Sequence, residues 1–312
     1  MIPAEDTARH HVRMTAPVSP LRLAGFEYRE MDVEGVMVSH AIAGSGPPLL
    51  LLHGYPENHL MWRHVAPVLA EDHTVVLADL RGYGDSGKPA PDAAGLVYAK
   101  RSMARDQAGL MRKLGFSQFA LIGHDRGARV AHRLVLDHPG TVTALAVLDI
   151  VPTRHVLGHV TRAMATAYYH WFFLSTGHGI PEHLIGADPG FWVRSLIGPL
   201  LGPGASIEPP VMDDYIRCFA DPRTIAASCA DYRAAASTDL VHDEETFAAG
   251  QKIECPVLAL WGTQAFVGRG YDPLSVWQQY AADVRGTALP TGHFLPEEAP
   301  ELVTAALRDF LG

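Results

Sequence analysis

Cysteine is scarce in this chain, which limits the kinds of site that it can build. Cys218, Cys229 and Cys255 are its only cysteines in 312 residues, too few and too scattered for a disulfide framework or a zinc ribbon. We therefore expect reduced thiols in a cytoplasmic protein, and no metal or organic cofactor is implied. Residues 82–87 match G-x-G-x-x-G, but Lys-Pro-Ala-Pro-Asp follows them instead of a helix, so dinucleotide binding is unsupported.

Long apolar runs and an excess of positive charge are also lacking. No stretch approaches about 18 uninterrupted apolar residues, so we expect no membrane span, and the charged N-terminus argues against a secretory signal. With 25 Lys and Arg against 34 Asp and Glu, the formal net charge of −9 argues against nucleic acid or an anionic membrane as a partner. An acidic protein that binds an anion must hold it with local positive charge.

Short apolar segments alternate with helical patterns in the first half of the chain and again at its end. The segments at 26–33 and 36–43 alternate in hydrophobicity like an antiparallel pair. Continuous apolar runs, which are typical of buried parallel strands, follow at 47–54, 73–80, 119–125, 142–149 and 255–262, with a last strand near 285–290. Helices are predicted at 62–71, 99–115, 126–139, 275–284 and 299–312. This alternation predicts an α/β protein with a doubly wound sheet.

The pattern changes after Pro152. Residues 153–248 are rich in aromatics, His and Pro, with helical stretches and no clear strand. We therefore predict a loose arm at 1–22, a core formed by 23–152 and 249–312, and a helical cap formed by 153–248. The active site is expected between the core and the cap.

A candidate nucleophile lies in Gly-His-Asp-Arg-Gly at 123–127, where an apolar strand meets a helix. A G-x-nucleophile-x-G turn at such a junction needs small flanking residues and projects the central side chain into a cleft. Asp125 would therefore be a carboxylate nucleophile. The alternative is that its side chain serves only to cap the helix that follows. No G-x-S-x-G occurs in the chain, which excludes a serine esterase.

The base and its orienting acid are sought downstream of the nucleophile. His293 follows the last predicted strand, where this chain order places the base of a hydrolase. The base needs an acid partner. Asp149, which ends an apolar strand, is preferred to Asp272, because the loop after the penultimate strand has no earlier carboxylate.

Backbone and arginine donors complete the predicted site. His-Gly-Tyr-Pro at 53–56 matches a loop whose backbone N–H, here that of Tyr55, forms an oxyanion hole together with the N–H of Arg126. Arg126 and Arg129 are three positions apart at the helix start, hence on one face. They would form a local anion site, unless Arg129 instead pairs with a structural acid.

Several segments together resemble the fluoroacetate (haloacetate) dehalogenases over nearly the whole chain beyond the arm. They are HGYPENHLMW, DLRGYGDSGKP, GHDRGARVAHRL, AVLDIVPT, YYHWFFL, DYRAAAS and GHFLPEEAP. The resemblance implies an α/β-hydrolase fold with a mostly parallel eight-stranded sheet flanked by helices, and an inserted helical cap. It implies Asp125 as nucleophile, His293 as base, Asp149 as its partner, and Arg126 and Arg129 as a carboxylate clamp.

The resemblance also implies a halide site made of His170, Trp171 and Tyr232, whose N–H and O–H groups would hold the departing ion. The implied reaction hydrolyses short 2-haloacids, such as fluoroacetate or chloroacetate, to glycolate and halide through an aspartyl ester. The substrate would be a small anion, and the family resemblance implies a homodimer. The segments at 195–210 and 263–273 match the family least and leave substrate size open.

Three other functions are weighed against this interpretation. An epoxide hydrolase on the same fold would use two cap tyrosines, for which the candidates are Tyr168, Tyr169, Tyr215 and Tyr232. A haloalkane dehalogenase would not need the arginines. A ligand-binding protein without catalysis would be expected to lack a catalytic group, whereas nucleophile, base and acid are all present.

Overall fold

The computed structural model describes residues 19–312, so the predicted arm at 1–22 lies outside the described residues apart from its last four. Its central feature is a sheet of eight strands in the order β1-β2-β4-β3-β5-β6-β7-β8. The strands are β1 (Glu27–Val33), β2 (Val36–Ala43), β3 (Pro48–Leu52), β4 (Thr74–Ala78), β5 (Phe119–His124), β6 (Val142–Leu148), β7 (Val257–Gly262) and β8 (Val284–Leu289).

Strand β2 runs antiparallel to both of its neighbours, β1 and β4, and every other pairing in the sheet is parallel. The central strands lie at the heart of the core: all side chains of Leu49–Leu52 and Val75–Ala78 are 0% exposed. Strands covered on both faces have no polar face, which is why their sequences are continuously apolar. The prediction of an α/β fold with a mostly parallel eight-stranded sheet is confirmed.

Helices flank the sheet, with α2 packed on α3 and α1 on α15. They are α1 (Ala66–Leu69), α2 (Lys100–Lys113), α3 (Asp125–Asp137), α4 (Thr153–Gly158), α5 (Arg162–Ala167), α6 (Tyr169–Ser175), α7 (Ile180–Ala187), α8 (Pro189–Leu200), α9 (Pro209–Phe219), α10 (Pro222–Ala235), α11 (Thr238–Ala248), α12 (Phe266–Gly270), α13 (Pro273–Trp277), α14 (Leu295–Glu298) and α15 (Pro300–Leu311).

Two predicted helices are shorter than expected. The pattern at 62–71 is split into a 3₁₀ turn, His59–Trp62, and the short α1, because Pro67 lies in the first turn of a new helix. The helix predicted at 275–284 ends at Trp277. There the chain turns so that the carbonyl of Tyr280 accepts a hydrogen bond from Ile253 N–H, and this tertiary pairing replaces further helix.

Residues 153–248, called the cap region below, connect β6 to β7. They form the eight helices α4–α11 and, within this described stretch, no strand. Within it α6 packs against α10, and α10 also contacts α2 of the core. The boundaries of this region as a separate cap stay a prediction. No helix between residues 19 and 312 has the length and apolar character needed to cross a membrane.

Candidate active site

Asp125 stands on a sharp turn between β5 and α3. Its backbone φ is 42°, in the left-handed region that costs a non-glycine residue free energy. The turn tolerates no side chain on either flank: a Cβ on Gly123 would lie 2.6 Å from the backbone of Ala128, and one on Gly127 would lie 2.5 Å from the carbonyl oxygen of His53. The two glycines therefore permit the strained turn that presents Asp125.

The carboxylate of Asp125 is buried but surrounded by positive charge. Burial on its own would raise the pKa of Asp125, yet the neighbouring His293, Arg129 and His124 outweigh burial and hold the pKa below its usual value. The backbone N–H of Tyr55 donates to Oδ2 of Asp125 at 3.1 Å. Asp125 is thus ionised near neutral pH, the state that a nucleophile requires.

His293 and Asp149 meet across the site, although 144 positions separate them in the chain. Nδ1 of His293 lies 2.6 Å from Oδ2 of Asp149, and Oδ1 of Asp149 accepts the backbone N–H of Gly262 at 3.0 Å. The contact with Asp149 keeps the ring proton of His293 on Nδ1, so that Nε2 is free to accept a proton. Asp272 lies elsewhere: it is exposed and caps α13 through Ser275.

His124 contacts the backbone of His293, a role that the sequence did not suggest. Its Nε2–H donates to the backbone carbonyl of His293 at 2.8 Å, and its Nδ1 lies 3.2 Å from Oε2 of Glu57. Burial alone would lower the pKa of His124, but Glu57 and Asp125 raise it to about 9. His124 therefore carries a buried positive charge beside Asp125.

Arg126 is held by an acid that the sequence did not reveal as its partner. Nε and Nη2 of Arg126 donate to the two carboxylate oxygens of Asp231 at 2.9 and 2.5 Å. Lys100 and the hydroxyl of Tyr83 also bind Asp231, and Lys100 lies 3.6 Å from Asp239. Within residues 19–312, buried Nη1 of Arg126 has no hydrogen-bond partner, so one edge of the guanidinium stays available.

Arg129 has a different environment. Its Nη1 donates to the carbonyl of Val151 and to the hydroxyl of Thr153, both at 3.0 Å, and its guanidinium lies 4.5 Å from the Trp171 ring. Between residues 19 and 312 it forms no ion pair with a carboxylate, and its buried Nε has no partner there. The alternative that Arg129 pairs with a structural acid is therefore wrong. The arginine that pairs with a buried acid is Arg126, through Asp231.

His170, Trp171 and Tyr232 come together although they are distributed over α6 and α10. The ring of Tyr232 lies 5.9 Å from that of His170 and 6.0 Å from that of Trp171, and the Arg126 guanidinium lies 4.1 Å from it. Burial lowers the pKa of His170 to about 3, so the ring is neutral. Among the described residues, neither the Tyr232 hydroxyl nor Nδ1 of His170 has a hydrogen-bond partner. Such buried, unpaired polar groups are rare unless a ligand or water binds them.

The site as a whole is enclosed and rich in donors. Asp125, His293, His170, Trp171 and Tyr232 are each at most 7% exposed. Within residues 19–312 no group of three or more His, Cys, Asp or Glu side chains is arranged to hold a metal ion. Chemically, an ionised carboxylate faces unpaired cationic and hydroxyl donors, with a His–Asp pair beside it. The arrangement suits a small anion.

Comparison with known proteins relates the chain to enzymes of one fold. A family model described as alpha/beta hydrolase fold matches residues 47–300. The chain is 45% identical to a fluoroacetate dehalogenase of a Burkholderia species, covering 92% of this chain and 94% of that one. It is 35% identical to a soluble epoxide hydrolase of Corynebacterium sp. (strain C12), covering 88% and 94%. A solved structure of a candidate alpha/beta hydrolase from Nostoc sp PCC 7120 superposes with a TM-score of 0.91 at 50% identity, covering 93% and 99%.

Proposed function

The chain belongs to the α/β-hydrolase fold family, and from this membership we propose that it is a hydrolytic dehalogenase of short 2-haloacids. The observation that carries the proposal is the pair of partner-free donors, Nη1 of Arg126 and Nε of Arg129, buried beside the ionised Asp125. A substrate carboxylate supplies the acceptors that these donors lack. The similarity to a fluoroacetate dehalogenase over nearly the full length supports the same conclusion.

In the first step, one carboxylate oxygen of Asp125 attacks the α-carbon of the bound haloacetate. The carbon–halogen bond breaks, and halide leaves with the bonding electrons as the aspartyl ester forms. Fluoride is a small, strongly solvated ion, so its departure needs close donors. The Tyr232 hydroxyl, the Trp171 indole N–H and one N–H of neutral His170 supply them.

In the second step, Nε2 of His293 takes a proton from water, and the resulting hydroxide attacks the carboxyl carbon of the ester. Negative charge then develops on the ester's carbonyl oxygen. Oδ2 of Asp125 already accepts a hydrogen bond from the backbone N–H of Tyr55 at 3.1 Å, so this oxygen is the one that the oxyanion hole would stabilise. The backbone N–H of Arg126 would be the second donor. Collapse breaks the bond to the glycolate oxygen, which takes the proton from His293, and restores the Asp125 carboxylate.

The second candidate function is epoxide hydrolysis, which the similarity to a soluble epoxide hydrolase favours. It requires two tyrosine hydroxyls near the nucleophile. The hydroxyl of Tyr215 is engaged with Glu297 at 2.7 Å, and Tyr169 is 47% exposed. Tyr168 and Tyr232 are therefore the pair that this alternative would use.

Side-by-side assays with fluoroacetate, chloroacetate and styrene oxide test the two functions. We expect release of halide from a haloacetate, with stoichiometric glycolate, and no diol from styrene oxide. The reason is that the clamp provides binding only to an anion. Diol formation without halide release from either haloacid would assign the chain to the epoxide hydrolases.

Arg129→Met tests the clamp. Removing a charged hydrogen bond costs about 1.5–3 kcal/mol, which corresponds to roughly a tenfold to more than a hundredfold loss of kcat/KM with a haloacetate. The matched neutral haloacetamide never used the clamp and should lose little. Arg129→Lys keeps the charge but not the planar fork, so it should restore activity only in part.

Arg126→Met is the companion variant. We expect the same selective loss on the haloacetate together with a lower free energy of unfolding, because Asp231 then loses one of its two cations. Equal losses on haloacetate and haloacetamide in both variants would show that the arginines are structural.

A further inference from the structure

Glu298, the last residue of α14, accepts hydrogen bonds from three backbone N–H groups. Its Oε2 accepts from Gly292 at 2.7 Å and from Gly202 at 2.8 Å, and its Oε1 accepts from Phe294 at 2.9 Å. Gly292 and Phe294 are the immediate neighbours of His293. One carboxylate therefore binds the backbone on both sides of the base and a segment of the cap region at the same time.

The cap segment at 200–202 also contacts the base directly. The backbone N–H of His293 donates to the carbonyl oxygen of Leu200 at 2.9 Å. The approach is close: a Cβ on Gly292 would lie 2.4 Å from that oxygen, and a Cβ on Gly202 would lie 2.8 Å from Oε2 of Glu298. Position 292 therefore requires glycine, and a larger residue at 202 would displace the side chain of Glu298.

We infer that Glu298 is a positioning residue for His293, and that it makes base catalysis depend on docking of the cap segment at 200–202. The inference rests on the proposed role of His293. Asp149 orients the imidazole ring, whereas Glu298 and Leu200 fix the backbone from which the ring projects. Hydrogen bonds from N–H groups to a carboxylate are stronger than neutral ones, so three of them to Glu298 hold the loop firmly.

The role is tested by Glu298→Gln in single-turnover experiments that separate the two steps. The amide offers one oxygen and places an NH₂ group against a backbone N–H, so at least one bond is lost. Hydrolysis of the ester should slow by about tenfold to a hundredfold, while its formation, which does not use His293, changes by less than about twofold. The alkyl-enzyme should accumulate. Glu301→Gln, at an exposed position of the next helix, should leave both steps unchanged.

Gly202→Ala is the second variant, in case the first fails to fold. Its Cβ would push the cap segment away from Glu298, so it should slow the same step. Equal slowing of both steps, or a lower melting temperature with unchanged step ratios, would overturn the role and leave Glu298 a structural residue. Absence of any ester even in His293→Asn would instead overturn the dehalogenase mechanism, and this role with it.

Discussion

In His293→Asn, turnover should stop while the first step continues, so that the protein accumulates a covalent ester on Asp125. Alkylation requires only the carboxylate and the donors that receive halide, whereas hydrolysis requires a base for water. Loss of a general base costs about 10²–10⁴-fold in rate. Mass spectrometry of the intact protein should show the added mass of a carboxymethyl group soon after mixing with a haloacetate, followed by a peptide modified at Asp125.

Asp125→Ala is the matched control, because it should show neither ester nor turnover. A single turnover of the unmodified protein in ¹⁸O-water provides an independent test. The first product should carry an unlabelled oxygen from Asp125, and the label should appear in the carboxylate. Direct entry of label into the first product would contradict the ester mechanism. Normal turnover by His293→Asn would contradict the role of His293 as the base.

Asp149→Asn should lower kcat by about 10⁴-fold, the size of effect seen when the orienting acid of a triad is replaced by its amide. Oδ2 of Asp149 lies 2.6 Å from Nδ1 of His293. An Asn amide in that position can donate to Nδ1, which would leave the proton on Nε2 and abolish the base. The same change also removes the charge that stabilises the protonated imidazole.

Asp272→Asn should be nearly silent, since that side chain is exposed and serves α13. The comparison is a direct one, because both variants exchange a carboxylate for an amide of the same shape. Steady-state kinetics on one haloacetate, with thermal melting to confirm folding, provide the measurement. A large loss in Asp272→Asn with little loss in Asp149→Asn would move the orienting acid to Asp272.

The two arginines have different electrostatic environments, and in the proposed function they would contribute to anion binding in different ways. Arg126, Lys100, Asp231 and Asp239 form a buried cluster of two cations and two anions, so the charge of Arg126 is largely balanced. Arg129 has no such ion-pair partner among residues 19–312, and the carboxylate that acts on its charge is that of Asp125, four positions earlier on the same helix. Arg129 would therefore supply most of the uncompensated positive charge, and Arg126 a preorganised N–H donor.

Much of the architecture was predictable because it depends on short-range patterns. Continuous apolar runs identify strands that are covered on both faces, and the glycines at 123 and 127 identify a turn that only small residues allow. The turn at 123–127 can be identified within five residues, since strand, turn and helix follow each other directly. For the same reason the turn at Asp125 and the positions of the strands along the chain could be predicted without the structure.

Local patterns could not reveal most of the side-chain contacts across the site, because those contacts join residues far apart in the chain. The end of an apolar strand favoured Asp149 over Asp272 as the partner of His293, but the fold is what brings Oδ2 of Asp149 to 2.6 Å from Nδ1 of His293. Asp231 reaches Arg126 across 105 positions, and Glu298 reaches Gly202 across 96. Local sequence thus determined the strands and the turn at 123–127 that presents Asp125. The tertiary structure decided the partner of each buried charge, since a buried ion pair forms only where the fold brings both groups within hydrogen-bond distance.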